Sequence, residues 1–147
     1  MTSRALLIVA AVLTFVAAAT AQRSSPGTAK VSLSGADVNV TGDFPTTLCG
    51  GPFMLGKGMA WQTRAGDWQI TVASENRTSG TVPLNQKDGS VNVVVAVNGP
   101  GRSYVRRPTA KGNLTVSDDF KKAEGTLELR NAVGKETAML VVTFVCQ

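Results

Sequence analysis

The 147-residue sequence predicts one all-β domain, a single antiparallel β-sandwich or partly closed barrel with one disulfide. Three observations predict it. Apolar residues recur at every second position in several short segments. Clusters of Gly, Pro, Asn and Asp separate those segments. No window of about 11 residues beyond the leader holds a 3.6-residue period. Alternation sets one strand face on a core and the other in solvent. Several such strands without helices settle into a sandwich or a barrel.

The first residues precede the fold. Arg4 is followed by an apolar run from Ala5 to Ala19, interrupted by Thr14, and then by the small-residue exit Ala19-Thr20-Ala21. This is the pattern of a secretory signal peptide, residues 1–21, cleaved between Ala21 and Gln22. The run falls short of the roughly 18 apolar residues of a membrane span. No later segment approaches that length, so no transmembrane span is expected after cleavage. Residues 22–29, Gln-Arg-Ser-Ser-Pro-Gly-Thr-Ala, are polar and rich in breakers. They predict a short flexible tether to an all-β domain at 30–147.

Within that domain the elements follow in order. Val31 and Leu33 alternate with serines, Ser34-Gly35-Ala36-Asp37 turns, and Val38 and Val40 alternate again, which predicts a hairpin. Met59–Thr63 and Trp68–Val72 flank Arg64-Ala65-Gly66-Asp67 as a second hairpin. Val91–Val97 is nearly continuous in valine, as expected of a central strand buried on both faces. Asn98-Gly99-Pro100-Gly101 ends it. Asn113–Val116, Gly125–Leu129 and Met139–Val145 supply further strands, and Asp118–Glu124 has room for one helical turn before Gly125.

Cys49 and Cys146 are the two cysteines. In an exported domain two lone cysteines pair, pinning the last strand to the loop that enters the second hairpin. Their separation excludes a zinc knuckle. Histidine is absent, which removes Ser-His-Asp and Cys-His catalysis and every imidazole-ligated metal. The formal net charge of +5 is spread along the chain. Its densest stretch, Arg102, Arg106, Arg107 and Lys111, is broken by Pro108 and has only Tyr104 nearby, so no nucleic-acid partner is expected.

The remaining motifs favour bland readings. Gly51–Lys57 fits G-x-x-x-x-G-K, but Gly58 stands where a phosphate loop needs Ser or Thr, and a strand rather than a helix follows. Asp118 and Asp119 are adjacent and point different ways, Asp88 sits beside Gly89 in a turn, and no acid faces another across a cleft. A calcium ladder is missing. Trp61 and Trp68 lie near mirrored positions of one hairpin and are expected to fill the core rather than stack on a sugar. Asn39, Asn76 and Asn113 head Asn-x-Thr sequons, two of them inside predicted strands. No catalytic, cofactor or metal residue is assigned.

The run Lys30-Val31-Ser32-Leu33-Ser34-Gly35-Ala36-Asp37-Val38-Asn39-Val40-Thr41-Gly42, followed by Cys49, resembles the opening of the folded domain in LpqH-type lipoprotein antigens of mycobacteria. Gly112-Asn113, Phe120-Lys121 and Gly125-Thr126 resemble a second stretch of that family, and Val141–Gln147 its closing strand with a penultimate cysteine. The resemblance covers most of the exported chain, loosely between Met54 and Asn98. It implies a cell-envelope or secreted antigen without enzymatic activity, engaged in adhesion, whose paired domain cysteines are Cys49 and Cys146. The chain departs from the family at the lipobox. The family places an acylated cysteine there, whereas Ala19-Thr20-Ala21-Gln22 offers no thiol, so lipid-dependent receptor recognition does not carry over.

The expectation is a secreted or extracytoplasmic, envelope-associated β-domain that is not an enzyme and needs no cofactor. It acts by binding an envelope or host surface component that the sequence does not name, in an oligomeric state the sequence does not specify. The alternative is a carrier of a small apolar ligand or lipid inside the β-domain, as a barrel of about eight strands permits.

Overall fold

The structure is a computed structural model that describes residues 27–53, 56–84, 92–106 and 111–147. The expected signal peptide, its expected cleavage junction at Ala21 and Gln22, most of the expected tether, Asp88 and Arg107 lie outside the described residues. The described chain is all β. Its strands are β1 (Gly27–Gly35), β2 (Asn39–Phe53), β3 (Gly58–Ala65), β4 (Trp68–Ser74) and β5 (Gly80–Pro83). They continue as β6 (Val93–Gly99), β7 (Arg102–Val105), β8 (Gly112–Val116), β9 (Lys122–Asn131) and β10 (Thr137–Cys146). Among the described residues no helix is long and apolar enough to cross a membrane.

All pairings are antiparallel, in the order β10-β1-β2-β3-β4-β6-β7-β9-β8-β5, and β10 also pairs with β9. The sheet therefore closes into an eight-stranded barrel of β1, β2, β3, β4, β6, β7, β9 and β10. One edge of β9 is shared. Ala123–Leu127 pair with β8, while Arg130 and Asn131 take Val105 and Tyr104 of β7 and complete the ring. β8 and β5 extend outward from β9.

Alternation builds the core. Ala29, Val31 and Leu33 of β1 point inward beside Leu140, Val142 and Phe144 of β10. Trp61, Ile70, Val95, Tyr104 and Leu127 converge from the other strands, each at most 3% exposed. Burying one such side chain contributes about 1.5–3 kcal/mol. Thr63 is buried among them because its hydroxyl donates to the Pro45 carbonyl at 2.8 Å, a carbonyl next to the irregular register of β2.

Several expectations are corrected. The strand begins earlier than the tether boundary allowed. Gly27–Ala29 belong to β1, since Ala29 continues the inward alternation at 0% exposure and Gly27 pairs with Cys146. Cys49 lies in β2 rather than in a loop. That strand runs 15 residues past Pro45, Gly50 and Pro52; the register shifts between Thr46, Leu48 and Gly51 absorb Gly50 as part of a bulge, while Pro45 and Pro52 stay in register opposite Thr28 and Met59. β6 is fully buried on one face only: Val93, Val95 and Val97 point inward, while Val94 and Ala96 are half-buried outside. Residues 118–124 form no helical turn, because β9 already begins at Lys122 and pairs with Val145.

At the free end of the sheet, the Leu84 N–H donates to the Gly112 carbonyl at 3.1 Å. Even-numbered residues of β5 therefore turn their amides toward β8, and Pro83 occupies a position whose missing N–H faces outward.

Candidate functional site

The barrel has two chemically different ends. At one, the disulfide joins Cys49 to Cys146, with Cα atoms 5.7 Å apart. Gly27 of β1 lies between the two cysteines, and a Cβ there would stand 3.0 Å from the Cys49 sulfur and 2.5 Å from the Val145 carbonyl oxygen. The β8–β9 loop closes over this end. The Ser117 hydroxyl donates to Asp119 Oδ1 at 2.6 Å, the Lys121 amide donates to the same oxygen at 3.0 Å, and the Lys122 amide donates to Ser117 Oγ at 2.9 Å. These donors, the Ser117 hydroxyl first, hold the Asp119 carboxyl below its ordinary value of 3.8.

Between them, Phe120 adopts φ +59°, a left-handed conformation that costs a bulky residue about 1 kcal/mol or more. Its amide donates to the Ser117 carbonyl at 2.9 Å, its ring packs on the core, and the Arg77 guanidinium lies 5.0 Å from the ring centre. Phe120 thus seats this loop on the core; of the two adjacent aspartates, Asp119 belongs to its hydrogen-bonded framework and Asp118 is exposed.

The opposite end carries the β1–β2, β3–β4, β6–β7 and β9–β10 turns. Arg102 at the start of β7 meets Asp37 in the β1–β2 turn at 2.8 Å, which ties one member of the basic stretch into the fold. Trp68 sits at this rim, half-buried, its ring 6.0 Å from that of Tyr104. Trp61 lies deep in the core at 0% exposure. The two tryptophans are not cross-strand partners: Trp61 opposes Val72 and Trp68 opposes Ala65, because the connecting turn holds only Gly66 and Asp67.

Elsewhere the chemistry is dispersed. Gly51–Phe53 close β2, Met54 and Leu55 lie outside the described residues, and Gly58 opens β3, so no helix N-terminus stands where a phosphate loop needs one. Glu124 pairs with Lys122 at 2.7 Å on the outer face of β9. Among the described residues no three His, Cys, Asp or Glu side chains gather as a metal site. Asn39 and Asn113 lie in strands and Asn76 in the β4–β5 loop, all exposed. Among the described residues three buried polar atoms, Trp61 Nε1, Tyr104 OH and Thr46 Oγ1, have no hydrogen-bond partner.

Clefts on the outside are lined by strand and turn residues. One, of about 280 Å³, crosses β8, β9 and β10 near Thr115, Glu124 and Thr143. A second, of about 550 Å³, follows Ser34, Glu128, Glu136 and Met139. A third, of about 390 Å³, lies at the rim among Arg64, Asp67, Gln69, Asn98, Gly99 and Pro100. Sequence reading passed over the third because Arg64 and Asn98 looked like turn residues. Their outward positions on paired strands emerge only once the two-residue turns set the register. The chain matches no protein-family model, no curated protein and no solved structure.

Proposed function

We propose that the chain is an exported, non-enzymatic binding domain acting in the cell envelope or on a host surface, as its likeness to LpqH-type antigens implies. One observation carries the reading: the barrel interior is filled by the chain's own side chains, with Trp61, Tyr104 and Phe144 at 0% exposure across its width. Recognition is then left to the outer surface. The same filling weighs against an internal lipid carrier, since a barrel of this size holds either side chains or a small ligand. The disulfide fits an oxidising, extracytoplasmic compartment. The acids fit a structural role, with Asp119 committed to a loop and Glu124 to a lysine.

The test has two parts. Intact mass of the protein from its native host should correspond to a chain starting at Gln22, lighter by two hydrogens until reduced. A mass retaining residues 1–21 would overturn cleaved export. Beads carrying the oxidised chain should bind isolated envelope or host cells saturably, displaced by soluble oxidised chain. Equal binding by beads carrying reduced, alkylated chain would overturn folded-surface recognition.

A further inference from the structure

The rim cleft is built between two tight turns. In the β3–β4 turn Gly66 takes φ +62° just before Asp67, the arrangement of a type II′ hairpin. In the β6–β7 turn Pro100 precedes Gly101 at φ +71°, as in a type II turn. β4 pairs directly with β6, so the turns stand side by side. The Trp68 ring lies against Gly99, where a Cβ would stand 2.5 Å from a ring carbon, and this contact seats one hairpin on the other.

Arg64, Gln69 and Asn98 form one row across β3, β4 and β6, paired Arg64 to Gln69 and Gln69 to Asn98. The next row inward on the same face is satisfied within the chain: the Thr47 hydroxyl donates to Gln62 Oε1 at 3.0 Å, and Gln62 Nε2 donates to Thr71 Oγ1 at 2.9 Å. The rim row is left open. Among the described residues the side chains of Arg64, Asp67, Gln69 and Asn98 have no hydrogen-bond or ion-pair partner.

We infer that this cleft binds a neutral saccharide. Arg64 only donates, Asp67 only accepts, and the two amides do both. Their charges cancel, so the site selects neither anion nor cation. Neighbouring strands set the backbones of Arg64, Gln69 and Asn98 about 4.8 Å apart, a spacing on the scale of a sugar ring. Each sugar hydroxyl both donates and accepts, as such a mixed row requires. Pro100 offers an aliphatic surface to the C–H face of the ring. The turns fix the site before binding, which lowers the ordering cost. The inference rests on the surface-binding reading above and names the class of its partner.

The test is an NMR titration of the oxidised exported chain with D-mannose, D-galactose, D-glucose, L-arabinose and N-acetylglucosamine up to about 50 mM, with D-glucuronic acid as charged control. At least one neutral sugar should give saturable shifts at the side-chain amides of Gln69 and Asn98, with a millimolar Kd. Gln69→Ala and Asn98→Ala should each weaken binding about tenfold, and Thr115→Ala on the opposite face should leave it unchanged. No saturable shift at those amides with any neutral sugar overturns the inference. So does unchanged affinity in both variants, or stronger binding of glucuronic acid. A chain that fails here yet retains saturable bead binding loses the saccharide site and keeps its surface function; loss of both overturns both.

Discussion

Removing the disulfide should bring the domain close to unfolding. Cys49 and Cys146 are 97 residues apart in sequence, so the bond closes a loop of about 100 residues. On the chain-entropy model that restricts the unfolded chain by about 4.7 kcal/mol. Little opposes this in the folded state, where β1 already pairs with both β2 and β10 and holds the two cysteines in place. The double variant Cys49→Ala/Cys146→Ala should therefore lose about 4–5 kcal/mol, a large part of the ~5–15 kcal/mol that a domain possesses. With a urea m-value of roughly 2 kcal/mol/M, the midpoint should fall by about 2 M. Wild-type protein in reductant should follow the variant. A fall below about 0.5 M at unchanged m would refute the reasoning, because the unfolded chain would then lack the freedom that the bond is credited with removing.

Three further outcomes follow from particular contacts. Tyr104→Phe deletes a buried hydroxyl that has no partner among the described residues, so chemical denaturation should show stability unchanged or raised by about 1 kcal/mol; a loss of that size would mean the hydroxyl is satisfied. Gly99→Ala places a methyl group against the Trp68 ring and should displace it, costing about 1–3 kcal/mol and shifting tryptophan emission to the red; an unshifted spectrum contradicts the packing. Asp119 is held below its ordinary value by the Ser117 hydroxyl and the Lys121 amide. A carboxyl with a lowered folded pKa adds stability above its unfolded value and loses it as pH falls through the folded one. The melting temperature of Asp119→Ala should therefore fall less steeply than that of wild type on acidification through the carboxylate range, and parallel profiles would contradict the assignment.

Legibility followed strand length and regularity. β1, β3, β4, β8 and β10 each carry several inward apolar residues at period two, and the bare sequence shows them. β5 and β7 have four residues each, which leaves Val82 and Tyr104 almost alone to signal an inner face. The later part of β2 was hidden by Pro45, Gly50 and Pro52, which mark loops in isolation but are carried in this strand, Gly50 within its register shifts and the prolines in pairs with Thr28 and Met59. Barrel closure rests on two residue pairs between β7 and β9, a tertiary fact with no local trace. The cysteine pairing was readable because it needed only a compartment and a count. The rim row was not, since it requires the register of three strands at once.

The outer edge of β5 has a consequence for crowding. At high local density an open strand invites a second copy to continue the sheet. Among the described residues of that edge Pro83 removes one of the outward amides a neighbouring chain would seek, leaving that of Thr81, and four residues give little length on which to build. Packed side by side, such domains tend to keep their sheets separate and to stay individual molecules rather than growing into fibres.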